Sequence, residues 1–235
     1  MRTIAIGDIH GCSKALDGLL QILDPQPADC LVFLGDYVDR GPDSRGVIDM
    51  LLELEGRCKT VFLRGNHEIM FSGVLRGLEP TLWMQNGGSQ TLTSYGGLLD
   101  HVPDRHREFL QNCVPHYETE KSMFVHANYV ADLPLDQQPD LALYWEHLND
   151  RWPEPHVSGK HVYCGHTPQT GGRIGWYSHF TCIDTCCFGG NWLTAVDVDS
   201  WESWQVSRQG HLRENWRLLK KIVQKIRKNA RRYRS

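Results

Sequence analysis

Three times within the first 68 residues, a short apolar run ends in glycine followed by a carboxylate or carboxamide. The loops are Gly7-Asp8-Ile9-His10-Gly11, Gly35-Asp36-Tyr37-Val38-Asp39-Arg40-Gly41 and Arg64-Gly65-Asn66-His67-Glu68. The apolar runs predict strands at residues 3–6, 30–34 and 60–63. Ser13 is placed to cap a helix through about residue 23 and Ser44 one through about residue 54, and a third helix follows His67. A β-α-β-α-β-α order calls for a parallel or mixed sheet with helices packed on it. Ligand sites in such sheets form at the carboxyl ends of strands, so the three polar loops are expected to converge.

The chain has 235 residues, enough for one well-buried domain. The middle reads as helical and irregular, with a helix over 104–112. Further strands are predicted at 122–125, 161–164, 180–183, 192–198 and 202–206, in a second sheet built largely antiparallel. Trp201 and Trp204 fit the alternation of a half-buried strand. The expected division is a domain over 1–210 and a basic amphipathic helix or tail over 211–235.

The loops offer Asp8, His10, Asp36, Asn66 and His67 as metal ligands or acid–base groups. Two more histidines stand at strand ends, in Val125-His126-Ala127-Asn128 and Cys164-Gly165-His166-Thr167-Pro168. Oxygen and imidazole donors of this kind suit manganese, iron or zinc. Asp8 and His10 are two apart and point the same way on an extended segment, so one metal can take both. Asp36, on the neighbouring loop, is a candidate carboxylate to bridge two metals. The histidines outside these motifs are read as surface or core residues.

G-D-x-H-G, G-D-x-V-D-R-G and G-N-H-E, in this order and spacing, resemble the phosphoprotein phosphatase family within the calcineurin-like metallophosphoesterases. The later V-H-A-N and G-H-T motifs match too. Ile183-Asp184-Thr185 with Gly189-Gly190-Asn191-Trp192-Leu193-Thr194 resembles the compact bacterial and bacteriophage serine/threonine phosphatases. The resemblance covers about residues 3–206. It implies an α/β sandwich of two mixed sheets flanked by helices, and a pair of divalent metal ions, with manganese first and iron or zinc as alternatives. Asp8 and His10 would hold the first metal, Asp36 would bridge, and Asn66, His126 and His166 would complete the second. Asn66 also borders the substrate phosphate. His67 would be the general acid, positioned by Asp39, and Arg40 would contact phosphate oxygens. Two metals about 3.5–4 Å apart can clamp an in-line displacement and lower the pKa of a bound water from about 15.7 toward about 7. A planar guanidinium suits phosphate because it donates two parallel hydrogen bonds.

One position departs from the family. A second phosphate-binding Arg often follows a Trp by two residues, but this segment reads Trp145-Glu146-His147. Either His147 serves, or Arg151 one turn later, or that contact is missing. Arg64 is read as a structural ion pair or a substrate contact, and Glu68 as stabilising the start of its helix through the dipole. The expected substrate is a protein or peptide carrying phosphoserine or phosphothreonine, with phosphotyrosine as an extension. A dinucleoside polyphosphate hydrolase is the enzymatic alternative, although residues 75–160 hold no clear basic cluster for a nucleotide. A membrane- or nucleic-acid-associated binding protein with a vestigial metal site is the alternative of another class.

Charge is segregated. Nine of the 25 Lys and Arg lie in residues 217–235 with no acid, leaving 16 against 28 acids in the first 216 residues, a formal charge of −12. Trp216, Leu219, Ile222, Val223 and Ile226 follow helical spacing in this tail. It reads as a helix docking on the acidic domain or as an anchor to an anionic membrane surface. No nucleic-acid motif accompanies it. The chain has no apolar run near the roughly 20 residues of a membrane span, and its start lacks a signal-peptide pattern, so a cytoplasmic protein is expected. Eight irregularly spaced cysteines without a C-x-x-C pair are expected to be free, buried thiols.

Overall fold

Alternation along the strands sorts the apolar side chains into two layers. In β1 (Thr3–Ile6), Ile4 and Ile6 join the core beneath the helices, while Ala5 faces the opposite side. The computed structural model describes residues 1–213. Its elements continue with α1 (Ser13–Leu23), β2 (Cys30–Phe33), α2 (Ser44–Leu54), β3 (Lys59–Phe62) and α3 (Asn66–Leu75). Then come a short helical turn α4 (Thr81–Trp83), a π-turn over Met84–Gly88, α5 (Ser89–Ser94), α6 (Asp104–Asn112), β4 (His116–Glu118) and β5 (Ser122–Val125). The later part holds α7 (Asp140–Tyr144), β6 (His161–Cys164), β7 (Gly175–Trp176), β8 (Phe180–Cys182), β9 (Trp192–Asp197) and β10 (Ser203–Ser207).

The strands form two five-stranded mixed sheets, in the orders β10-β9-β1-β2-β3 and β4-β5-β6-β8-β7. A middle core joins them. Ala5, Val32, Leu34, Leu63 and Val196 from the first sheet meet Phe124, Tyr163 and Ile183 from the second. The helices α1, α2, α3 and α6 cover the outer face of the first sheet. The outer face of the second buries Met123, Val125, Val162, Cys164, Phe180 and Cys182 beneath Tyr129, Leu135, Leu143 and Leu148.

The late strands do not form a largely antiparallel sheet. β9 and β10 return to the first sheet, β9 lying antiparallel to β1. In the second sheet β5, β6 and β8 run parallel, and only the edge strands β4 and β7 are antiparallel. Long connections make this possible: 35 residues separate Val125 from His161 along the chain, ample for the crossover that a parallel pair requires. Two helix starts also differ. Ser13 is the first helical residue of α1, and Cys12 before it makes no side-chain cap bond. Asp43, not Ser44, caps α2 by accepting from the Gly46 amide at 2.9 Å.

Trp204 sits in β10 as a half-buried strand residue, whereas Trp201 lies before the strand. Leu212 bridges Val206, and the Arg213 guanidinium donates to Gly172 O and Gln205 Oε1, so the chain is still packed on the sheet at its last described residues. The tail over 217–235 lies outside the described residues. Among the described residues, no helix is long and apolar enough to cross a membrane. All eight cysteines are buried and free.

Candidate active site

Each parallel strand of both sheets hands its chain to a loop at the same end of the sandwich. Those loops carry Asp8 and His10 after β1, Asp36, Asp39 and Arg40 after β2, Asn66 and His67 after β3, His126 after β5 and His166 after β6. Five of these residues have left-handed backbones: His10 at φ 46°, Asp36 at 52°, Asp39 at 70°, Arg40 at 65° and His166 at 59°. Such conformations cost on the order of 1–3 kcal/mol each and persist where the surroundings enforce them, characteristically at functional sites. Two glycines permit the crowding. A Cβ on Gly65 would lie 2.2 Å from Asp36 Oδ1, and one on Gly165 would lie 2.0 Å from Asp8 Oδ1.

Backbone carbonyls orient the imidazoles. A carbonyl can only accept, so His10 Nδ1 donates to Val38 O at 2.9 Å, His126 Nδ1 to Leu34 O at 2.7 Å and His166 Nε2 to Trp145 O at 3.1 Å. The remaining nitrogen of each ring then carries a lone pair. His126 Nε2 and His166 Nδ1 lie 3.1 and 3.2 Å from the same atom, Asn66 Oδ1. Burial lowers the basicity of His126 and His10, and burial with neighbouring His126 brings His166 down to about 3, which favours neutral rings. Three acceptors therefore converge without a proton between them. That arrangement can hold a cation.

Asp36 is shared between two clusters of donor atoms, one with His10 and His67 and the other with His126 and His166. Its Oδ2 lies 3.4 Å from His10 Nε2, and its Oδ1 lies 3.4 Å from His126 Nε2. Burial favours its neutral form, and positive charge on the surrounding rings of His126, His67, His10 and His166 would hold the carboxyl well below the usual range. This is the position expected of a bridging carboxylate. Asp8 stands beside these clusters, its Oδ2 accepting from the His166 amide at 3.0 Å. Burial, then Asp184 and Asp36, push its carboxyl well up.

Glu68 does more than favour the helix start. Its carboxylate accepts from the amides of Asp36 at 2.8 Å, Tyr37 at 2.8 Å and Gly65 at 2.9 Å. It thereby ties the second loop to the third and fixes the backbone of Asp36. A pattern reading misses this because two of the three donors are more than 30 residues away.

His67 is fully buried, with Nδ1 2.7 Å from Asp39 Oδ2. The other oxygen of Asp39 accepts from Trp83 Nε1 at 2.9 Å and Thr91 Oγ1 at 2.7 Å. Trp83 and Thr91, from α4 and α5, thus lock the carboxylate that orients the imidazole; they carry no motif that would single them out. Burial opposes the charged ring, but Asp36 and Asp39 together raise its basicity. Its Nε2 is buried and has no hydrogen-bond partner among the described residues.

Arg40 lies with its guanidinium 4.8 Å from the Phe188 ring centroid and Nη1 2.8 Å from His10 Nε2. His147 is exposed, its ring stacked on His166 at a centroid distance of 4.3 Å. Arg151 is engaged by Glu146 through both guanidinium nitrogens Nε and Nη2. Among the described residues Arg64 has no ion pair; its Nη2 donates to Gln111 O and Cys113 O, joining the third loop to the end of α6.

A family model for calcineurin-like phosphoesterases matches residues 1–201. Serine/threonine-protein phosphatase 1 of Salmonella typhimurium is 44% identical over 85 residues, 35% of this chain and 37% of that protein. The symmetrical bis(5'-nucleosyl)-tetraphosphatase of Stutzerimonas stutzeri is 36% identical over 142 residues, 58% of this chain and 48% of that protein. The chain thus spans less than half the length of these curated relatives. A crystal structure provisionally assigned as a diadenosine tetraphosphatase superposes with a TM-score of 0.67 at 24% identity, covering 87% of this chain and 92% of the other. With both sheets, the convergent loops and a family match across most of its length, the chain belongs to the calcineurin-like phosphoesterase family.

Proposed function

We propose that the chain hydrolyses phosphate monoesters, with two divalent cations held by Asp8, His10, Asp36, Asn66, His126 and His166, and that its substrate is a phosphorylated serine or threonine side chain. The observation that carries the reading is the unpartnered, buried Nε2 of His67, held in line by Asp39 beside the shared carboxylate of Asp36. Cations in this cradle, manganese first, would supply the Lewis acidity that makes water nucleophilic at neutral pH. His67 protonates the departing alkoxide through Nε2, while Asp39 steadies the positive charge on the ring. The guanidinium of Arg40 swings from His10 to the phosphate oxygens and keeps its packing on Phe188. His147, stacked at the rim, supplies the second phosphate contact, since Glu146 already engages Arg151.

A second substrate reading has its own support. The Stutzerimonas relative, a dinucleoside tetraphosphate hydrolase, matches a longer stretch of this chain than the Salmonella phosphatase does. Turnover of a phosphothreonine peptide and of diadenosine tetraphosphate by the manganese-loaded protein, side by side, separates the two. Preference for the peptide supports the protein-phosphatase reading. Preference for the dinucleotide keeps the metal ligands and overturns the substrate. No turnover of either returns the chain to a binding role with an idle metal site.

A further inference from the structure

Among the described residues, two buried side-chain polar atoms lack a hydrogen-bond partner: His67 Nε2 and Asp184 Oδ2. The first is explained by proton donation. The second belongs to a carboxyl group that is 1% exposed and has no part in the chemistry so far. An unsatisfied buried oxygen costs about 1–3 kcal/mol, and more when it bears charge.

Asp184 is the second residue past β8, at the end of the sandwich where the other site loops emerge. Its backbone is fixed on both sides. Ile183 N donates to Cys164 O at 2.9 Å, and Gln169 N donates to Asp184 O at 2.8 Å. Its Oδ1 is occupied by the Cys186 amide at 2.9 Å, which leaves Oδ2 pointing away from the loop's own donors. The β8 end is pressed against the first loop: a Cβ on Gly7 would lie 2.5 Å from Ile183 O. Asp8 and Asp184, each one residue beyond that contact, therefore leave abutting chain segments. Three buried acids, Asp8, Asp36 and Asp184, stand at this end of the sandwich. A protein assembles such a group when a positive charge is to be bound among it.

We propose that Asp184 is a positioning carboxylate of the metal centre, its free Oδ2 orienting the Asp8 side of the cradle through hydrogen bonds in the hydration of the ion there. The inference rests on the two-metal reading above. It adds a residue supplied by the eighth strand to ligands drawn from the first three, the fifth and the sixth. Outer carboxylates of this kind typically change metal affinity by about 10–100-fold when altered.

The test is manganese titration by calorimetry of the full chain and of Asp184→Asn, with thermal unfolding of both in chelator. The expected result is two sites in each, one weakened about 10–100-fold in the variant. The chelated variant should unfold no earlier than the chelated wild-type protein, because it has lost one of three crowded acids. An isotherm unchanged from wild type overturns the proposal. So does a chelated variant that unfolds well below wild type, which would make Asp184 a structural group. Wild-type protein that binds fewer than two ions instead overturns the two-metal reading itself, so the two failures are distinguishable.

Discussion

His67 is useful as an acid only while its proton sits on Nε2 and the ring keeps its orientation. Asp39 orients the ring by accepting from Nδ1–H, and with Asp36 it favours the imidazolium, which carries the second proton on Nε2. Replacing Asp39 with Asn leaves Trp83 and Thr91 their acceptor but turns an amide donor toward Nδ1. The imidazolium then loses its counter-charge. His67→Asn should lower turnover of an alkyl phosphoester by about 10²–10⁴-fold while bound manganese stays the same. Asp39→Asn should follow in the same direction with a smaller loss. Both variants should be far less impaired on p-nitrophenyl phosphate, whose leaving group departs without a proton. Steady-state rates on the two substrates check this. An equal loss on both would mean that the residues hold the site together rather than deliver a proton.

At the scale of elements, the N-terminus of β1 is clasped to the start of β2. Arg2 Nε and Nη2 donate to Asp29 Oδ2 at 3.1 and 2.5 Å, the Arg2 amide donates to Oδ1 at 2.9 Å, and Nη2 also reaches Leu23 O at the end of α1. The Arg2 hydrogen bonds bring the Asp29 carboxyl down to about 2, from about 3.9 in an unfolded chain. A folded-state value below the unfolded one stabilises the fold above about pH 4, and the benefit is lost as pH falls through about 2. Asp29→Asn should therefore cost about 1–2 kcal/mol at pH 7, allowing for solvent screening of the partly exposed Arg2. The gap from wild type should close by about pH 2. Urea unfolding at both pH values measures it, and a gap independent of pH would assign the loss to packing instead.

The element scale also separates what is legible in the sequence from what is not. β1, β5, β6 and α6 have the bounds that their apolar runs and helical spacing predict. Local pattern decides where such a segment starts and stops, and Gly-Asp or Gly-Asn at each strand end marks the site. Pattern does not decide which strand an element pairs with. β8 and β9 look alike as apolar runs, yet β8 runs parallel to β6 in one sheet and β9 antiparallel to β1 in the other. Bonds that cross between loops escape it for the same reason: Glu68 on the Asp36 and Tyr37 amides, and Trp83 and Thr91 on Asp39. Left-handed φ at His10, Asp36, Asp39, Arg40 and His166 is likewise imposed by the assembled site, not by residue preference.

Across the whole molecule, the proposed ligands come from both halves of the sandwich: Asp8, His10, Asp36 and Asn66 from the first sheet, His126 and His166 from the second. Without cations, the seam gathers buried acids and facing lone pairs, and these oppose the apolar contact of Phe124, Tyr163 and Ile183 against Ala5, Val32 and Leu34. With cations held by the proposed ligands, the same groups would attract, and the ion taken by Asn66, His126 and His166 would join the two sheets. A ligand that binds only the folded chain adds about 2.7 kcal/mol per site at 100 times its dissociation constant. For a chain of this size, each kcal/mol raises the melting temperature by about 2–4 °C. Manganese at that excess should therefore raise the melting temperature by roughly 10–20 °C for two sites, and chelation should reverse the rise. His166→Ala removes a ligand of the second sheet and should leave only about half of the shift; Asp36→Asn, which alters the shared ligand, should remove most of it. Differential scanning calorimetry of the three proteins with and without manganese gives the answer. If Asp36→Asn keeps the full manganese-dependent rise, the carboxylate between the two clusters does not join the ions, and the sheets are held together at this seam by their apolar contact alone.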